Sequence, residues 1–275
     1  MKKLIITVLL FAVALAAAGQ TKDEYNEKYQ RLAGRLGPAG VGIETHLDKW
    51  EAAFPDDRRL LEARAQYCLV KGRSSEVVPK NQSKFLGNKP ILSLPDSSGR
   101  AVNYFEEYFH DDELFGQAMK YFDRAIELYP DDLYIRAEKI VALLDYEKES
   151  PDMAVDEIDK LIALEKQTHP KWTALGEPVE EGGFSDLMST FCYRLYNIAN
   201  DTGYNAFFSL STKLSKLYPK DPNYLDNIGS YWLVARGRDK KAMSYYKKAL
   251  KLNPDDEVAK ANIRVIERKQ AKKNK

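Results

Sequence analysis

The sequence predicts an all-α fold of about five stacked helix pairs and a closing helix, with a small β-hairpin inserted. Three observations predict it. A phrase of proline and acid recurs four times along the chain. Between its copies, apolar residues return at helical spacing. One long stretch then breaks that spacing with two short apolar runs around a turn.

The recurring phrase is Phe54-Pro55-Asp56-Asp57, Tyr129-Pro130-Asp131-Asp132, Tyr218-Pro219-Lys220-Asp221 and Asn253-Pro254-Asp255-Asp256. Proline cannot continue a helix, so each copy ends the one before it. The aspartate that follows accepts from the open N–H groups of the next helix and suits its positive end. Recurrence at helix junctions reads as capping rather than as metal binding.

In chain order, Tyr25 to Leu36 and Val41 to Phe54 make the first pair. Leu61, Ala65, Cys68 and Gly72 begin the second, and Ala118, Phe122, Ala125 and Pro130 complete it. Ile135 to Leu144 pairs with the helix of Ala154, Ile158 and Leu161. Ser150-Pro151-Asp152 starts that helix, with Ser as cap and Pro at its first position. Ser185 to Asn200 and Tyr204 to Leu217 make the fourth pair. Leu225, Ile228, Gly229 and Trp232, followed by Ala242, Tyr246, Ala249 and Pro254, make the fifth. Glu257 to Lys269 reads as a closing helix, amphipathic and basic at its end.

The fifth block resembles the tetratricopeptide repeat, departing by one extra residue between Trp232 and Gly237. Ala118 to Pro130 matches the second-helix spacing without departure, although Arg64 stands where the first helix of that repeat has an apolar residue. The resemblance implies that neighbouring pairs stack into a superhelix, its concave surface lined by first helices. Carried over residue by residue, it marks Arg136 and Lys139, Tyr193 and Tyr196, and Asn223 and Asn227 as partner-binding candidates. Aromatic and arginine side chains are the types that anchor interfaces. The Lys–Asn set with which chaperone-binding relatives clamp a C-terminal carboxylate is not expected, since Asp226 stands beside Asn227.

Two stretches interrupt the repeats. The first spans 73–112, where Ala118 follows Gly72 by 46 positions. Ile91-Leu92-Ser93-Leu94 and Ala101-Val102-Asn103-Tyr104 flank the turn Pro95-Asp96-Ser97-Ser98-Gly99, which predicts the hairpin. An insertion this long and this rich in large apolar residues reads as functional rather than disordered. The second, 165–184, carries His169-Pro170-Lys171-Trp172 and Gly176-Glu177-Pro178. Tyr104, Phe105 and Trp172 are the aromatic candidates for ligand contact, and the plainer role for Trp172 is stapling its loop to the helices. Helix pairs with a turn-rich insertion are similar to a group of exported repeat proteins of Bacteroidetes-type bacteria, a resemblance that brings no activity with it.

The start of the chain predicts export. Met1-Lys2-Lys3, an apolar run from Leu4 to Ala16 and small residues to Gly19 have the layout of a secretory signal peptide over 1–20, with the repeat array over 21–275. The run decays into Ala and Gly, which suits cleavage between Ala18 and Gln20 better than a permanent span. A periplasmic or secreted location in a Gram-negative bacterium follows, with no stable membrane span after cleavage. Of 275 residues, 44% are hydrophobic and 30% charged, enough for a packed core. The formal net charge is +1, and loss of the two leader lysines makes it −1, so no general attraction for nucleic acid is expected. Cys68 and Cys192, far apart in apolar stretches, read as buried thiols ahead of a disulfide.

Catalytic signatures are missing together: no zinc-protease helix, phosphate-cradling glycine loop or nucleophile elbow stands in the sequence. His46, His110 and His169 sit in separate elements. His110-Asp111-Asp112-Glu113 is the one dense group of ligand types, and it reads as a helix cap ahead of a metal or cryptic carboxylate site. The expectation is an exported scaffold or adaptor holding a protein or peptide, with no cofactor, metal or enzymatic activity. The alternative is a helical repeat protein binding a small molecule or glycan.

Overall fold

The computed structural model describes residues 20–273, so the expected leader lies outside the described residues except for Gln20. The described chain holds eleven helices and two small sheets. It divides into two compact units, 20–73 with 110–130, and 74–109 with 131–273.

In the first unit, α1 (Lys22–Leu36), α2 (Ile43–Ala53), α3 (Arg58–Lys71) and α4 (Asp112–Leu128) form two pairs. Thr21 opens α1 with a capping box, accepting from the Glu24 N–H while the Glu24 carboxylate accepts from its own. Trp50, Leu60 and Leu61 fill the core, and Tyr25 stacks on Trp50 at 6.2 Å. Arg64, the departure noted in the sequence, turns its guanidinium onto Asp48 (2.6 Å) and Glu51 (2.7 Å). That pairing lets a cation occupy a site meant for an apolar side chain. Asp111 caps α4 by accepting from the Leu114 N–H at 2.9 Å, so the His110–Glu113 group lies at a helix start. Cys68 is buried here as a free thiol.

In the second unit, α5 (Leu133–Glu147) pairs with α6 (Asp152–Thr168), α7 (Gly183–Asn197) with α8 (Asp201–Leu217), and α9 (Pro222–Ser230) with α10 (Asp239–Leu252). The last, α11 (Glu257–Lys273), closes on α10. A π turn, Tyr231–Ala235, continues α9. Ion pairs Arg194–Asp145 and Lys213–Asp159 tie like helices of successive pairs together. Cys192 is buried and free.

The proline–acid phrase acts as the sequence implies. Asp57, Asp132, Asp221 and Asp256 each accept from a backbone N–H two or three residues on, at 2.9 to 3.1 Å. Phe54, Tyr129, Tyr218 and Asn253 each give their own N–H to the last turn of the helix before. The start of α6 differs from expectation. Pro151 itself takes the cap position without a side-chain acceptor, and Glu147 reaches from α5 to accept from Met153 (2.7 Å) and Ala154 (2.8 Å). A carboxylate two atoms longer than a serine's reach does the capping from the helix before.

Small residues permit the close approaches. A Cβ on Gly229 would lie 2.7 Å from the Tyr246 ring, which is fully buried and has nowhere to go. Alanine gains up to about 1 kcal/mol of helix propensity, but overpacking costs typically about 1–3 kcal/mol. Gly229→Ala is therefore expected to lower the urea midpoint at unchanged slope; an unchanged or raised midpoint would show that the α9–α10 contact relaxes.

Candidate functional site

The inserted segment is a three-stranded sheet in the order β1 (Arg73–Lys80), β3 (Ala101–His110), β2 (Leu92–Pro95). The expected hairpin is its β2–β3 half, antiparallel with Leu92 opposite Tyr104 and Leu94 opposite Val102. Its turn is held by Asp96, which accepts from Ser98 and Arg100, while Gly99 takes φ +81°. The extra strand, β1, carries Ser, Glu and Pro and has no clear alternation in the sequence.

Alternation along a strand decides which candidates are available, because neighbours face opposite ways. Leu92, Leu94, Val102 and Tyr104 share one face, and Leu92 and Leu94 are 48% and 45% exposed. Phe105, Glu107 and Phe109 take the other. Phe105 is 1% exposed and packs edge-on against Phe85 at 6.0 Å, so its candidacy for ligand contact is corrected: it is core. Tyr104 is half-buried on the open face.

The second face is fastened by charge. Glu107 accepts from Lys148 at 2.7 Å and pairs with Lys80 at 2.8 Å. Each lysine also lies over a ring, Lys148 on Phe109 at 3.9 Å and Lys80 on Phe85 at 3.8 Å. Burial pushes the Glu107 carboxyl up, but hydrogen bonds from both lysines outweigh it and hold it below the usual range. A Cβ on Gly87 (φ +81°) would lie 2.9 Å from the Asn197 side chain, so the backbone there passes close to the end of α7. The sheet is thus a rigid platform on the α5–α6 turn and the end of α7.

Trp172 behaves as a staple. It is 7% exposed, stacks on Phe184 at 5.8 Å, gives its Nε1–H to Glu165 at 2.7 Å, and has the Arg136 guanidinium 6.0 Å from its ring. The strands β4 (Thr173–Ala174) and β5 (Glu177–Pro178) close the loop behind it. Beside it lies an open cleft of about 420 Å³ reaching Lys171, Pro178 and Tyr218. Trp172 itself lines that cleft, so the staple also gives the cleft part of its wall.

The first-helix candidates divide the same way. Arg136 is half-buried against Trp172, and burial lowers its pKa. Lys139 pairs with Glu157 at 3.1 Å with little of either side chain exposed. Tyr196 packs edge-on against Phe207 (5.1 Å) and Tyr204 (5.5 Å), and Asn227 is half-buried. Tyr193, 68% exposed, and Asn223 remain open to solvent. Among the described residues no group of three or more His, Cys, Asp or Glu side chains is placed to hold a metal ion. No described helix is long and apolar enough to cross a membrane.

Helices paired through short proline–aspartate turns, with a first-helix glycine against a second-helix ring, define a helical-repeat protein. Residues 232–256 match the tetratricopeptide repeat family, so at least the fifth helix pair carries a repeat of that kind. It is similar to the solved structure of YrrB, titled a TPR protein with an unusual peptide-binding site, at 11% identity over 92% of this chain and 97% of that one, with a TM-score of 0.42. Yeast Tom70 is similar at 12% identity over 96% and 43%, also at 0.42. A MamA RS-1 ArsTM double mutant is similar at 12% over 88% and 99%, at 0.41. No curated protein matches the sequence.

Proposed function

We propose that the protein is an exported, non-catalytic scaffold that holds a protein or peptide partner chiefly on the open face of its inserted sheet. The observation that carries this reading is an anchored sheet whose outward face displays Leu92 and Leu94 beside Val102 and Tyr104. Contiguous large apolar side chains on a soluble surface mark interaction sites. Both outer strands also lack a further paired strand among the described residues, and an extended segment can add to such an edge through its main chain. Tyr193 and Asn223 offer additional contacts on the first helices, while Arg136, Lys139, Tyr196 and Asn227 support the packing behind them. The basic, apolar and small-residue order of 1–20 supports export to the periplasm or beyond. The glycan reading rests on Tyr104, Phe105 and Trp172, of which Phe105 is core and Trp172 is largely buried, leaving Tyr104 on the open face.

The test is a pull-down from periplasmic extract, quantified by mass spectrometry. Leu92→Glu with Leu94→Glu is expected to abolish recovery of the partner that the unaltered protein retains, with Tyr193→Ala reducing it less. Full recovery with the double variant would refute the sheet face as the contact surface.

A further inference from the structure

The one departure of the fifth repeat from the tetratricopeptide pattern, an extra residue between Trp232 and Gly237, is not taken up by a loop. The helix keeps it as the π turn Tyr231–Ala235, where the Arg236 N–H reaches the Tyr231 carbonyl five residues back at 3.3 Å. Such turns are rare and are frequent at functional sites. Beside this one opens a cleft of about 530 Å³ lined by Trp232, Gly237, Arg238, Asp239, Lys240, Lys241 and Gln270.

The chemistry of that cleft is one-sided. Lys241 holds its ammonium 3.4 Å from the centroid of the Trp232 ring. Arg238, Lys240 and Lys241 are exposed, and among the described residues no acid pairs with any of them. The one acid in the lining, Asp239, is engaged by Lys269 at 2.8 Å. The first turn of α10 has no side-chain cap, which adds its open N–H groups and positive end to the same place. The Trp232 Nε1–H is shielded from water and finds no acceptor. Cations around a ring, with the one carboxylate of the lining already paired to Lys269, complement a chain that alternates acid and apolar side chains.

We propose that this cleft at the π turn is a second docking site, for an acidic peptide segment with an apolar residue that packs on Trp232. A peptide fits better than a bilayer, because Trp232 is half-buried rather than exposed and lines the cleft. The site shares no residue with the inserted sheet, so the two readings stand or fall separately.

A fluorescein-labelled peptide of alternating Glu and Leu, and its Gln-for-Glu counterpart, would be titrated against the full chain by anisotropy. The acidic peptide is expected to bind about tenfold tighter than the Gln version at low salt, with the difference shrinking as salt is added. Arg238→Glu with Lys240→Glu is expected to remove that difference. Lys28→Glu with Lys120→Glu, the same charge change on exposed lysines elsewhere, is expected to preserve it. Equal affinity for both peptides, equal loss in the two double variants, or binding to phosphatidylserine vesicles that the acidic peptide does not displace would each overturn the proposal.

Discussion

Replacing Glu107 by Ala is expected to unfasten the inserted sheet while the helices stay folded, at a cost of roughly 3 kcal/mol, the low end for breaking a buried ion pair. An exposed pair would be worth under about 1 kcal/mol. This one is different because the Glu107 side chain is 12% exposed and its lysine partners 22% and 19%. Without the carboxylate, two ammonium groups remain partly dehydrated, each against a ring, with no counter-charge between them. Glu107→Gln keeps the shape but not the charge and is expected to fall between. Hydrogen exchange over 74–109 reads the effect directly: amides of β1 and β3 should exchange faster in the Ala variant, with 133–252 unchanged. Equal protection in both would show that the Gly87–Asn197 approach and the Phe85–Phe105 packing suffice. Because hydrogen bonds hold the Glu107 carboxyl low, its contribution is present above the unfolded value near about 4.3 and is lost as pH falls through the lower folded value.

Asp226→Asn is expected to act in the opposite direction and to stabilise the protein above neutral pH. Asp226 is 4% exposed on α9, neither of its oxygens receives a donor, and the acid nearest it is Asp256, the cap of α11. Burial first, then Asp256 and Asp221, push the Asp226 carboxyl up to about 8. Between the unfolded value near about 3.9 and that folded value, the folded protein holds a proton that the unfolded chain has released. Stability from this group is therefore complete below the unfolded value and declines as pH rises towards 8. Each pH unit between the two values is worth about 1.4 kcal/mol at most, so the decline amounts to a few kcal/mol. Melting temperature should fall from about pH 5 to about pH 8.5 in the unaltered protein and stay nearly level in Asp226→Asn. Parallel curves would contradict the buried-acid account.

The fold was legible where local chemistry alone specifies it. Pro55, Pro130, Pro219 and Pro254 end helices whatever lies around them, and the aspartate after each satisfies the next helix with a bond two or three residues long. Gly229, Ala242 and Ala249 announced close helix contact by size. The β2–β3 hairpin was readable because Asp96 and Gly99 build its turn within five residues. What stayed hidden depends on partners distant in sequence. Glu107 reads as one acid among many until Lys80 and Lys148 close on it, and β1 has no pattern apart from pairing with β3. Phe105 could have been placed by alternation alone, since Tyr104 beside it cannot share its face. The extra residue after Trp232 was visible as a count, yet a loop and a π turn are indistinguishable by count.

The central claim is that the open face of the inserted sheet is where a partner is held. The most direct measurement places a photo-crosslinking amino acid at Leu94 on that face and, separately, at Val258 on the exposed side of α11, and compares adducts formed in periplasmic extract. A discrete adduct from position 94 that is missing from 258 and is lost in Glu107→Ala is the predicted result. Adducts of equal identity and yield from both positions, or none from 94, would contradict it.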